Sequence, residues 1–210
     1  MSVAPPAPTP RLPSRLGEPV WEIADEYPPQ GEWLEEDYLR RQFDRRVEFN
    51  DGFLEFLSMP TEVHQDVAGF LYRRLFDLLQ DSGKVHFAGL RVRTRADRPR
   101  KHREPDVCFL SREKNDRRRE RFWETADLVV EVVSEDDPDR DWVTKKAEYA
   151  AAGIPEYWIA DPRDRTLTVF TLDDGATAYR QAGRYAEGET AASVLLDGLQ
   201  IDVTACFDHE

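Results

Sequence analysis

A chain of 210 residues with 40% hydrophobic content is long enough to bury one sizeable core, and it contains no run of about 18 apolar residues that would span a bilayer as a helix. The net charge of −13 speaks against a polyanionic partner, but it is unevenly spread: Arg91 to Arg121 holds thirteen Lys/Arg against six Asp/Glu, a local +7, which leaves −20 elsewhere. Taken alone, a charge run of this kind is most simply a solvated face.

The first thirty residues carry eight of the fourteen prolines, in runs such as Ala4-Pro5-Pro6-Ala7-Pro8. They lack the apolar centre of a signal peptide. The composition predicts a disordered or extended arm over 1–30, then a single domain over 31–210, in a soluble cytoplasmic protein. Glu35 to Phe43 predicts a short helix. Arg46 to Ser58 holds two short runs around Asp51-Gly52, a dipeptide suited to a tight hairpin because both turn positions need positive φ. Thr61 to Gln80 predicts an amphipathic helix, with Val63, Val67, Leu71, Leu75, Leu78 and Leu79 at helical spacing and Ser82-Gly83 as its stop.

Val85 to Arg95 alternates apolar and polar residues and predicts one strand, and Val107–Leu110 and Leu128–Val133 predict short buried strands. Glu135, Asp136, Asp137 and Asp139 lack EF-hand spacing and form a solvated loop before a helix from about Asp141 to Ala152, ended by Gly153. Glu156 to Pro162 predicts the next strand. Thr166–Leu172, Ala176–Ala182 and Arg184–Ala186 predict an antiparallel tail. Strand, helix, strand around Glu131 suggests a crossover, so the fold class is α/β (α+β) with a mixed central sheet flanked by helices. Cys108 and Cys206 form neither a disulfide framework nor a metal-ligand spacing; Cys108 reads as a small buried residue. Tyr157 and Trp158 read as core aromatics.

Two acids stand out. Asp106 lies in Glu104-Pro105-Asp106-Val107-Cys108-Phe109-Leu110, and Glu131 in Leu128-Val129-Val130-Glu131-Val132-Val133. A carboxylate among such residues is costly to bury unless it is paired or binds a metal. On two neighbouring strands the pair would suit Mg2+ (or Mn2+), which takes oxygen ligands, keeps several waters and accepts substrate phosphate. Alone, Asp106 after a proline also reads as a strand-start residue, and Glu131 would need a buried partner such as Arg. Lys145, on the following helix, shares a face with Asp141 and Tyr149 and is the candidate for the water or the phosphate. Glu48 alternates away from Val47 and Phe49, toward solvent or a cleft. His64 reads as a surface or capping residue that also has the cleft within reach. Arg91, Arg93 and Arg103 flank Asp106 as candidate nucleic-acid contacts.

The ordered set Pro105-Asp106, Glu131-Val132-Val133-Ser134, Asp141…Lys145…Tyr149 and Gly153-Ile154-Pro155-Glu156-Tyr157-Trp158 resembles the Uma-type restriction endonuclease family of the PD-(D/E)XK nuclease superfamily. The resemblance extends from Glu36-Asp37-Tyr38 to Asp197-Gly198-Leu199. It implies a restriction-endonuclease-like core, a Mg2+ site at Asp106 and Glu131, hydrolysis of phosphodiester bonds in DNA, and a homodimer. One position departs from the superfamily signature: Val133 stands where the lysine is expected. Catalysis would need a displaced lysine, with Lys145 the best placed and Arg140 or Lys146 as substitutes. The alternative is a catalytically inactive nucleic-acid-binding or protein-interaction module on a nuclease fold.

Overall fold

The structure is a computed structural model that describes residues 27–97 and 100–208, so the expected proline-rich arm lies outside the described residues as far as residue 26. Helix α1 spans Glu35–Arg40. Strands β1 (Val47–Asn50) and β2 (Phe53–Phe56) form the expected hairpin, with Asp51 and Gly52 at φ 45° and 93°. Gly52 is required for a second reason: a Cβ there would collide with the backbone of Gly31, whose N–H donates to the Gly52 carbonyl at 2.8 Å.

Helix α2 (Glu62–Leu79) is capped by Thr61, whose side chain accepts from the His64 N–H. Val67, Leu71, Leu75 and Leu79 recur every fourth residue and give one buried stripe. Val63 and Leu78, counted on that stripe from spacing alone, instead face solvent.

The central sheet has six strands in the order β11-β10-β9-β8-β6-β3. They are β3 (Gly83–Phe87), β6 (Val107–Ser111), β8 (Leu128–Val132), β9 (Glu156–Asp161), β10 (Thr166–Thr171) and β11 (Arg180–Tyr185). Within this sheet, among the described residues, β8 and β9 alone pair in parallel, joined by a crossover that contains a π-helical turn (Arg140–Lys145) running into helix α3 (Lys146–Ala151). Side chains alternate across β8. Leu128, Val130 and Val132 join α2, Trp158 and Val169 in one core. Val129 and Val133 join Tyr149, Tyr157 and Ile159 in a second core on the opposite face. That strand is buried on both faces, which explains its unbroken apolar run.

A second sheet has the order β2-β1-β5-β4-β7, with β4 (Arg91–Arg95), β5 (Lys101–Arg103) and β7 (Phe122–Trp123). The expected single strand over Val85–Arg95 is corrected here. The chain turns at Ala88 and Gly89, both at positive φ, and β3 and β4 belong to different sheets. The tail differs as well. Ala176–Ala182 and Arg184–Ala186 are replaced by one strand, β11, and a hairpin of β12 (Thr190–Ala192) and β13 (Gln200–Asp202) follows before helix α4 (Val203–Phe207). Mixed sheets flanked by helices are thus the fold class expected. No helix among the described residues is long and apolar enough to cross a membrane.

Candidate active site

The register of the central sheet brings the two acids together. β6 and β8 pair Val107 with Val130, so the next positions outward, Asp106 and Glu131, fall side by side at the strand ends. Glu131 points to the face that packs against α3, where Tyr149 meets it, and Asp106 reaches Arg46 and, on α2, His64. The Val132 N–H donates to Asp106 Oδ2 at 2.9 Å, tying the first acid to the strand that carries the second.

Every carboxylate oxygen of the pair has a protein partner. Asp106 Oδ1 accepts from Arg46 Nη1 at 2.7 Å and lies 3.2 Å from His64 Nε2. Glu131 Oε1 accepts from the Tyr149 hydroxyl at 2.6 Å, and its Oε2 lies 3.0 Å from Lys145 Nζ. Lys145 Nζ is also 2.9 Å from Asp141 Oδ1 and 4.0 Å from Glu48 Oε1. Glu48 accepts in turn from Arg103 Nη1 at 2.7 Å, from the Glu104 N–H at 3.0 Å, and from Arg140.

Four buried carboxylates around one ammonium set the protonation states. Burial opposes the charge of Asp106, but the His64 hydrogen bond and Arg46 outweigh it and hold this carboxyl well below its usual range. Burial raises Glu131 to about 8; Lys145 pulls the other way, while Asp106, Asp141 and Glu48 add to the rise. Burial likewise raises Asp141 against the pull of Lys145. Glu48 is lowered to about 2, because Lys145, Arg103 and Arg140 together overcome its burial. For Lys145 itself, burial is outweighed by Glu131, Asp141, Glu48 and Asp106, so the side chain stays an ammonium.

A cavity of about 220 Å³ opens over this cluster, lined on its charged side by Arg46, His64, Asp106, Asp136, Asp137, Arg140, Asp141 and Lys145. Three buried polar atoms that lack a hydrogen-bond partner, Arg46 Nε, His64 Nδ1 and Arg140 Nε, belong to those residues. Such atoms are rare in folded proteins, and their concentration here marks a site completed by something polar from outside the chain. The described residues contain no group of three or more His, Cys, Asp or Glu side chains set to hold a metal. Asp106 and Glu131 present the kind of oxygen donors that a hard cation takes.

The structure brings Asp106, Glu131 and Lys145 together, and Glu48, for which alternation left solvent or a cleft open, is buried beside them. His64 departs from its surface reading: it is buried and faces Asp106. Val133 is buried among apolar neighbours, and Lys145 brings an ammonium to Glu131 from the crossover helix instead. Arg103 is corrected. It is buried and held by Glu48, Glu55 and Glu148, so it has no free face for a phosphate. Arg91 is mostly buried, stacked over the Tyr38 ring at 4.1 Å and 3.5 Å from Glu104, and Arg93 lies 3.4 Å from Glu124. Sequence reasoning missed Arg46, which no local pattern distinguishes. It assigned no role to Tyr149, although the four-residue spacing from Lys145 was its signal.

A sequence model of the Uma2 family, described as "Putative restriction endonuclease", matches residues 35–204. The chain belongs to that family. The match takes in every residue of the carboxylate cluster, from Glu48 to Tyr149. The Uma2 core also resembles the crystal structure of a putative nuclease belonging to DUF820 from Anabaena variabilis ATCC 29413, with a TM-score of 0.65 at 14% identity, over 82% of this chain and 96% of that one. At that identity the likeness shows the fold. No curated protein matches.

Proposed function

We propose that this Uma2 protein is a metal-dependent endonuclease that hydrolyses phosphodiester bonds in cytoplasmic DNA, with Asp106 and Glu131 holding Mg2+ or Mn2+. The observation that carries this reading is the placement of Asp106 and Glu131 side by side with Lys145 Nζ 3.0 Å from Glu131. Family membership and the fold of the Anabaena protein support it. When bound, the ion would lower the pKa of a coordinated water and offset charge on the scissile phosphate.

The chain's own groups have separable tasks. Lys145, kept as an ammonium, donates; it orients the attacking water or neutralises charge at a phosphate oxygen, and it is the wrong species to take a proton. Tyr149 fixes Glu131 Oε1, and His64 and Arg46 fix Asp106 Oδ1, so both acids are oriented before substrate arrives. Glu48 keeps Arg140 and Lys145 at the cavity wall.

The test is cleavage of supercoiled and linear DNA by wild type and Asp106→Ala in Mg2+, Mn2+ or EDTA, with circular dichroism to confirm folding. Metal-dependent nicking that vanishes in the folded variant is the expected result. Nicking that persists in EDTA or in Asp106→Ala overturns the proposal.

A further inference from the structure

Lys145 Nζ sits where a metal ion would be drawn. Among the described residues, three acids lie within 4.0 Å of it: Asp141 Oδ1 at 2.9 Å, Glu131 Oε2 at 3.0 Å and Glu48 Oε1 at 4.0 Å. Lys145 is buried and lines the carboxylate cavity. A divalent ion held by Glu131 would therefore meet a buried like charge, and the low dielectric of an interior makes that encounter strongly unfavourable. One of the present partners has to give way before the ion can be held.

Most of those partners are poorly placed to leave. The Val132 N–H belongs to the end of β8, and His64 is fixed on the first turn of α2. Arg46 is held at a second point, by the Glu104 carbonyl. Tyr149 donates through a neutral hydroxyl, and its ring is buried in the second core against Tyr157. Lys145 differs, because its charge rides on a flexible unbranched stem and a second acid already lies against it. That acid, Asp141, is anchored independently: the Tyr157 hydroxyl donates to its backbone carbonyl at 3.0 Å. Glu48 is no substitute, since Arg103, Arg140 and the Glu104 N–H already occupy it. Asp136 and Asp137 line the same cavity but are exposed, and the acids within 4.0 Å of Lys145 are others.

We propose that Lys145 is a resident counter-ion that competes with the metal ion for Glu131, and that Asp141 is the positioning residue to which its ammonium withdraws. The inference rests on the metal-dependent reading and adds how the site is cleared for the ion. Withdrawal needs little movement, because Nζ is already as close to Asp141 as to Glu131. Asp141 lines the cavity too, so the ammonium stays at the wall, where it can face a phosphate oxygen. Clearing Glu131 and presenting the lysine thereby become one event.

Mn2+ binding to the full chain without nucleic acid, followed by the paramagnetic resonance signal of the free ion, tests this as a double-mutant cycle. Lys145→Met should bind Mn2+ more tightly and Asp141→Asn more weakly, each by on the order of tenfold, a usual size for coupled sites. In the double variant the Asp141→Asn effect should vanish, because the lysine through which it acts is gone. The proposal is overturned if Lys145→Met binds no tighter than wild type. It is also overturned if Asp141→Asn weakens binding equally in both backgrounds, which makes Asp141 a ligand or a through-space charge. Where circular dichroism shows that Lys145→Met does not fold, Lys145→Gln completes the cycle. Asp141→Asn keeps the ammonium and stands alone, so undiminished binding by that variant overturns the proposal as well. Asp106→Ala separates this inference from the reading beneath it. Binding that Asp106→Ala abolishes, with an additive cycle, removes the withdrawal and leaves the metal site. Binding that survives in Asp106→Ala, or that wild type lacks, removes both.

Discussion

Lys145 and Glu131 carry the chemistry at the level of single residues. Lys145→Met removes the one ammonium among four acids; DNA cleavage in Mg2+ should fall by about 10²–10³-fold, the scale for losing one preorganised charge donor. Single-turnover rates with excess enzyme check it, and a loss confined to DNA affinity would move Lys145 out of the chemical step. Glu131 makes a separate prediction. Burial raises it to about 8, which favours the protonated form in the metal-free protein, yet a metal ligand must be ionised. Mg2+ binding at pH 7 should therefore expel a proton, and this release should fade as the pH is raised well past 8. Calorimetry in two buffers of different ionisation enthalpy reads it directly. Equal heats at pH 7 would mean that Glu131 is already ionised or does not bind the ion.

At the level of elements, the crossover helix positions Arg140, Asp141, Lys145 and Tyr149 in one place. Its π-helical opening turn is a wide turn of the kind often found at functional sites. Deleting exposed Thr144 should restore ordinary helical winding and rotate the preceding residues by about 100°. Arg140 and Asp141 would leave the cavity, so the variant should keep its helical circular dichroism and lose cleavage; retained activity would show that the wide turn is incidental. The sequence revealed this helix and the strands β6 and β8 because their apolar runs are local, and an acid inside such a run stands out. It concealed β5 and the break that sends β4 to a second sheet, because Arg91, Arg93, Lys101 and Arg103 resemble a solvated charge run. Their partners Glu104, Glu124, Glu148 and Glu48 arrive from other elements, and long-range pairing leaves no periodicity. His64 was hidden for the same reason, since its partner Asp106 reaches it only through the fold.

Across the whole molecule, Glu48 joins β1, β5 and the crossover helix, and so locks the second sheet onto the site-bearing face of the first. Its folded pKa of about 2 lies below the ordinary 4.5, so the fold favours the ionised form. That contribution is fully present above pH 4.5 and is lost as the pH falls toward 2. Glu131 has the opposite sign. With a folded pKa of about 8, its contribution is full below 4.5 and fades as the pH rises through 8. Urea unfolding midpoints should therefore drop at both ends, with the acid limb belonging to Glu48 and the alkaline limb to Glu131. Glu48→Gln should flatten the acid limb and cost on the order of 3 kcal/mol near neutral pH, because Arg103 and Arg140 lose a buried counter-charge. Glu131→Gln should flatten only the alkaline limb. If both variants shift the wild-type curve without changing its shape, the carboxylate cluster does not govern how the two sheets stay together.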